Sequence, residues 1–231
     1  MVTPVADRAT HRPREAPLEY PHGCEAPCTD AYLAPLILRI CRERQARTVL
    51  DIGCGNGTLC RRLADAGFMV TGMEPSESGV ACARRLVPEA TIVAAGVYDD
   101  PSILGGTRFD AVVCTEVVEH LFLPRVLPHF ASRVLAPGGS LIVSSPYHGY
   151  LKNLALALAG MWDRHHDPLW DGGHIKFWSR CTLSRLFEAE GFTVKSCVGA
   201  GRVPLLWKSM VLVAMRAADN NVGAAAARRR E

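Results

Sequence analysis

An amphipathic period runs through Asp30–Glu43, and the chain then changes to a short apolar run, Thr48–Ile52, of the kind that fills a buried strand. The two patterns go on alternating. Residues 58–66 read as a helix, 69–73 as the second strand, 91–95 as the third and 111–115 as the fourth. A helix over 125–135 stops at Pro137-Gly138-Gly139, and 140–144 is the fifth strand. Residues 182–190 form a helix ended by Gly191, followed by final strands at 192–198 and 209–216. Such alternation predicts an α/β fold: a seven-stranded, mostly parallel, doubly wound sheet with helices on both faces. Right-handed crossovers then gather the carboxyl ends of the parallel strands on one edge, where ligands bind.

An insertion at about 146–178 interrupts this order. Its apolar run, 151–161, is shorter than the roughly 20 residues a membrane span requires. A lid helix lined by Leu154, Leu156, Leu158, Met161 and Trp162 would exclude water and accept an apolar or aromatic substrate. The same surface suits peripheral contact with a membrane interface. The segments 1–17 and 219–231 lack apolar periodicity and read as disordered tails, leaving one domain over 18–218. With 231 residues, 48% hydrophobic, the chain has enough apolar material for one core, as monomer or homodimer.

A net charge of +3 with only four lysines provides no clustered basic face, which argues against a nucleic-acid partner. Nine cysteines, an odd number scattered through predicted strands and helices, suit a reducing cytoplasm better than a disulfide framework. Cys24 and Cys28 lack the second pair that a zinc site needs.

Chemistry first appears at Asp51-Ile52-Gly53-Cys54-Gly55-Asn56-Gly57, between the first strand and its helix. The glycines permit positive φ and close backbone approach, and the helix aims its free N–H groups at the same point. Glu74 follows about twenty residues later, the usual distance for an acid that accepts hydrogen bonds from both ribose hydroxyls. Together these describe a nucleoside pocket, and a cofactor-using enzyme is the leading reading. A dinucleotide fold would place a glycine at 58, where this chain has Thr58.

Just past the fourth strand stands Glu116-Val117-Val118-Glu119-His120. If a helix begins at once, positions 116, 119 and 120 share a face, and two carboxylates converge with an imidazole in a set able to chelate a cation. An acid-rich first turn that complements the helix dipole is the plain alternative. His148 and His174 also lie toward the ligand edge and are candidates for a general base or fourth metal ligand; each also suits a purely structural hydrogen bond. His165 and His166 read as a solvated turn.

The D-x-G-x-G-x-G form resembles the first motif of class I S-adenosylmethionine-dependent methyltransferases, whose fold is Rossmann-like. The likeness continues through Phe109 to His120 and through Leu135-Ala136-Pro137-Gly138-Gly139-Ser140, covering about 46–192 in the family's order. It is nearest to demethylubiquinol-type O-methyltransferases, which carry Glu-x-x-Glu-His after strand four, and to general bacterial small-molecule methyltransferases with His-x-x-x-Phe, here His174 to Phe177. The resemblance implies S-adenosyl-L-methionine as cofactor, with Asp51 ordering the turn and Gly53, Cys54, Gly55, Asn56, Gly57, Glu74, Pro75, Thr115 and Glu116 around it. Val97, Tyr98 and Asp99 would flank the adenine.

It further implies a divalent cation, magnesium, manganese, zinc or iron, on Glu116, Glu119 and His120, and His120, His148 and His174 as the catalytic candidates. Arg39 is the nearest match to an arginine that the family places ahead of its first strand. The reaction so implied is O-methylation of a catechol, quinol or phenol in a cytoplasmic biosynthetic pathway. Metal-free N- or C-methylation, methylation of small RNA and a non-catalytic cofactor-binding scaffold remain the alternatives.

Overall fold

The computed structural model describes residues 20, 21, 23–166, 169, 170 and 172–216; both predicted tails lie outside these. Seven strands form one sheet in the order β3-β2-β1-β4-β5-β7-β6. They are β1 Thr48–Ile52, β2 Met69–Glu74, β3 Thr91–Ala94, β4 Phe109–Cys114, β5 Leu135–Pro146, β6 Phe192–Ala200 and β7 Ser209–Arg216. Pairing is parallel from β3 through β5, while β7 runs antiparallel between β5 and β6.

The helices are α1 Asp30–Glu43, α2 Thr58–Asp65, α3 Glu77–Leu86, α4 Val126–Val134, α5 Tyr150–Leu158, α6 Trp162–His165 and α7 Arg180–Glu188. Strand side chains alternate between two cores. Leu50, Ile52, Val112 and Cys114 pack with Leu127 and Phe130 of α4 and Phe187 of α7. Val49, Ala111 and Val113 pack with Leu33 and Ile37 of α1, Leu63 of α2 and Val80 of α3. Burial on both faces is why the central strands are nearly continuous in apolar residues.

The sheet edges differ modestly from expectation. β2 extends to Glu74, which makes the acid itself the last strand residue, and β3 ends at Ala94. β4 begins at Phe109 and ends at Cys114. β5 is longer than predicted, because Leu135 already pairs with Phe109 and the Pro137-Gly138-Gly139 turn falls at a register shift within the strand. α7 starts earlier, at Arg180, because Ser179 and Thr182 form a reciprocal capping box.

The largest departure follows β4. No helix begins at Glu116: its φ is +53°, outside the helical region, and the chain turns through 118–120 before α4 starts at Val126. The shared helical face expected for 116, 119 and 120 therefore does not exist.

The insertion forms α5 and α6. α5 has no buried residue, and Tyr150 and Leu158 are 79% and 81% exposed. Among the described residues, no helix is long and apolar enough to cross a membrane. The cysteines also depart from expectation, since Cys24 is disulfide-bonded to Cys82 of α3, while seven, Cys28 included, are free.

Candidate functional site at the carboxyl edge of the sheet

The glycine-rich turn after β1 is fixed by backbone bonds from Gly53 N and Cys54 N to the Met73 carbonyl, at 2.7 and 3.1 Å. Gly53, Gly55 and Gly57 all have positive φ, from +53° to +83°. Each is needed, because a Cβ at 53 would strike Val117, one at 55 would strike Tyr20 and one at 57 would strike Ala83. Glu74 braces the turn from β2: its Oε2 accepts from Gly55 N at 2.9 Å and its Oε1 from Ser76 N at 3.0 Å. Each carboxylate oxygen keeps a further lone pair for a ligand.

Asp51 is fully buried; its Oδ2 accepts from the Cys60 thiol at 3.4 Å, and among the described residues its Oδ1 has no hydrogen-bond partner. Burial, opposed by that thiol and reinforced by Glu74, pushes its pKa up to about 7. The turn is thus ordered by Met73 and Glu74, whereas Asp51 presents an unsatisfied oxygen beside the cavity.

That cavity, ≈ 490 Å³, opens along the strand ends. Asp51, Gly53, Cys54, Asn56, Glu74 and Pro75 line one side. Tyr98, Thr115, Glu116, His120 and His174 line the other, so both constellations read from the sequence share one space. Gly55 and Gly57 shape the turn without lining it. Val97 is buried in the core, and Asp99 caps Gly96 N through Oδ2 at 2.8 Å, so neither side chain forms part of the cavity wall. The amide of Asn56 is engaged structurally: Nδ2 donates to the carbonyls of Gly23 and Glu25, and Oδ1 accepts from Thr58.

The Glu-x-x-Glu-His residues divide. Glu116 turns its carboxylate toward β5 and β7, where Oε1 accepts from Ser144 Oγ at 2.6 Å and Oε2 from Ser209 Oγ at 3.2 Å. Burial raises its pKa against the pull of those hydroxyls. Glu119 is 0% exposed, and among the described residues neither of its carboxyl oxygens has a hydrogen-bond partner. Its main-chain carbonyl accepts from Ile175 N and Lys176 N, both at 3.0 Å, which draws the neighbouring His174 toward it.

His120 Nδ1 lies 2.7 Å from the Gly172 carbonyl. A carbonyl only accepts, so Nδ1 carries a proton and donates it there. Ligand atoms of Glu119, His120 and His174 lie within 4.8 Å of one another, so His174 takes the place in the cluster that the sequence reading gave to Glu116. Burial, with His120 close by, pushes the His174 pKa down to about 4, leaving it neutral near pH 7; its 3.9 Å contact with Glu119 is therefore no ion pair.

His148 stands apart, among His166 and Phe177, with ring centroids 5.5 and 5.1 Å away. Among the described residues its Nε2 is buried without a partner, and burial, with Lys152 close by, pushes its pKa down to about 4. His166 is half-buried against Trp162 rather than in a solvated turn. Arg39 pairs with Glu43 on the exposed side of α1, away from the cavity. Sequence reasoning missed Tyr20, which lines the cavity from the segment before α1, and Ser144 and Ser209, which hold Glu116. An aromatic residue just ahead of an amphipathic helix was the available signal for the first; serines in buried strands gave none.

A parallel sheet that reverses at β7, with a glycine turn, a β2 acid and a cavity at its carboxyl edge, defines a class I S-adenosylmethionine-dependent methyltransferase. The chain belongs to the methyltransferase-domain family, which matches residues 29–196. It is 30% identical over 168 residues to the ubiquinone biosynthesis O-methyltransferase of Methylobacterium nodulans, covering 70% of this chain and 66% of that one. It is 33% identical over 163 residues to the protein of that name from Coxiella burnetii, with 70% of each chain covered. The chain thus spans about two thirds of the length of these relatives. Magnesium protoporphyrin IX methyltransferase from Synechocystis, solved with bound SAH, shares the fold with a TM-score of 0.59 and 20% identity, over 80% of this chain and 82% of that one.

Proposed function

We propose that this protein methylates a hydroxyl oxygen of an apolar or aromatic small molecule, of catechol, quinol or phenol type, using S-adenosylmethionine. The observation that carries this reading is the single cavity bounded by Asp51 and Glu74 on one side and by His120 and His174 on the other. The names of the relatives point the same way. When bound, S-adenosylmethionine supplies a methyl group already activated by its sulfonium, so the protein's work is alignment, proton removal and exclusion of water.

Glu74 receives the ribose hydroxyls, and the unpartnered Oδ1 of Asp51 receives the cofactor's ammonium group. Gly53, Cys54 and Gly55 let the backbone approach, Pro75 and Tyr98 flank the base, and Thr115 and Glu116 close the floor. His120 and His174 face the cavity together and, where no ion occupies them, take the acceptor's hydroxyl proton, His174 being held neutral by burial. His148, outside the cavity wall and close to Lys152 of α5, is the next base to test.

The donor set fits a divalent cation: a buried carboxylate with two orphaned oxygens, next to two imidazoles. Glu119, His120 and His174 would hold it, with Glu116 turned toward the serines. One carboxylate and two imidazoles favour zinc, iron or manganese over magnesium. When bound, such an ion supplies Lewis acidity that lowers a hydroxyl's pKa. The exposed apolar face of α5 then serves a long apolar substrate tail or a membrane interface.

Methyl transfer from labelled S-adenosylmethionine to a panel of catechols, quinols and phenols, with and without EDTA, tests this reading. Turnover on at least one acceptor is expected, restored after EDTA by zinc, iron or manganese. Turnover that ignores EDTA removes the metal and leaves the histidines as bases; cofactor binding with no turnover on any acceptor contradicts the substrate class.

A further inference from the structure

Ahead of α1, residues 20, 21 and 23–29 form a strap at the mouth of the cavity. Tyr20, Pro21 and Pro27 line the opening, and the Tyr20 ring lies so close over Gly55 that a Cβ there has no room. The strap is held by polar contacts: Tyr20 N donates to Ser78 Oγ at 2.9 Å, and Asn56 Nδ2 donates to the carbonyls of Gly23 and Glu25 at 3.0 and 2.6 Å. Residues 23–26 are all exposed. Hydrogen bonds of modest net strength on an exposed segment make a locally unstable element.

Between the two carbonyls that Asn56 holds sits Cys24, and its sulfur is bonded to Cys82 of α3, 58 residues away in sequence. α3 follows directly on Glu74 and Ser76, so the bond ties the strap to the wall that carries the β2 acid. Cys24 is exposed, whereas Cys82 is buried. The Arg85 guanidinium lies 3.0 Å from the Cys24 sulfur and 3.4 Å from that of Cys82. A cation there favours either sulfur as a thiolate leaving group.

We propose that the Cys24–Cys82 disulfide is a redox latch on cofactor exchange: oxidised, it holds the strap across the cavity; reduced, it frees the strap and speeds release of the cofactor or its product. The inference rests on the reading of this cavity as the cofactor site. The reductant is a dithiol. One of its thiolates attacks the exposed Cys24 sulfur, the Cys24–Cys82 bond breaks and Cys82 leaves as a thiolate beside Arg85. The second thiol of the reductant then displaces Cys24 from the mixed disulfide. Two electrons and two protons pass from the dithiol to the cysteine pair, and the reductant leaves as its own disulfide. Since the other seven cysteines are free, a dithiol acts on this bond alone.

The test uses the full chain. Alkylation after unfolding, read by mass spectrometry, should modify seven cysteines before reduction and all nine after it. Dissociation of S-adenosylhomocysteine, followed by stopped flow, should then be about tenfold faster after dithiothreitol, as expected when a tether that holds the bound form is cut. Cys24→Ser changes an exposed position and leaves the core intact; it should release quickly in both states, whereas Cys28→Ser should keep the redox response. Alkylation of all nine cysteines without reductant, or release rates that agree in the two redox states, overturns the latch while leaving the cofactor site intact. Absence of S-adenosylhomocysteine binding in both states overturns the cofactor reading, and the latch with it.

Discussion

Two carboxylates at this site do opposite work because their partners differ. Glu74 is braced by two backbone N–H groups, so its oxygens are fixed in the cavity wall before any ligand arrives. Replacing it with alanine leaves both donors unpaired and removes the ribose acceptor. Affinity for S-adenosylhomocysteine, measured by calorimetry, should fall by at least about tenfold to a hundredfold, the loss of even one such bond being worth roughly 1.5–3 kcal/mol. Unchanged affinity would move the nucleoside elsewhere.

Glu119 is the contrary case, buried with no hydrogen-bond partner for either carboxyl oxygen among the described residues. Glu119→Gln preserves its volume and removes the charge a cation needs. Manganese affinity should drop by at least about tenfold while the Tm hardly moves, since the loss of a ligand weakens the site rather than the core. A variant that binds manganese as well as the parent protein would exclude Glu119 as a ligand.

At the level of elements, α5 buries none of its residues, so little of the fold's stability rests on it. Leu154 and Leu158 are exposed, so Leu154→Ser and Leu158→Ser together should change unfolding free energy by no more than about 1 kcal/mol. They should still weaken co-sedimentation with lipid vesicles and raise KM for acceptors with long apolar tails. A large loss of stability would mean the helix is structural after all.

The strands were legible in the sequence because burial on both faces leaves a continuous apolar signature, and the glycine turn because only glycine tolerates its backbone. The loop after β4 was not. Its acids and histidine suggest a helix, yet Glu116 is held at positive φ by Ser144 of β5 and Ser209 of β7, partners 28 and 93 residues away. The pairing of Cys24 with Cys82 was equally hidden, because 58 residues of chain separate two positions that only the fold brings together. His174 was visible as a candidate, but its place beside Glu119 depends on main-chain bonds from 175 and 176.

For the molecule as a whole, the buried carboxylates of the site act against stability near neutral pH. Folded Asp51 keeps its proton up to about pH 7, whereas in the unfolded chain it is released near the ordinary value of 3.8. Between these values the unfolded state binds fewer protons. Asp51 therefore lowers stability by about 1.4 kcal/mol for each pH unit climbed through that window, and has no further effect above it. Asp51→Asn removes this slope. In urea unfolding between about pH 5 and 8, the variant should gain on the parent protein up to about pH 7 and then hold level. A difference independent of pH would show that Asp51 is already ionised in the folded chain.

Transfer of a sulfonium methyl to oxygen leaves its mark on the product, where isotope tracing reads it without an intermediary. The protein would be incubated with S-adenosylmethionine carrying a 13C methyl and with the best catechol or quinol acceptor, and the product examined by NMR and mass spectrometry. The prediction is a labelled methoxy group formed in equal amount with S-adenosylhomocysteine. Label on carbon or nitrogen, or cofactor bound tightly with no labelled product from any acceptor, would contradict it.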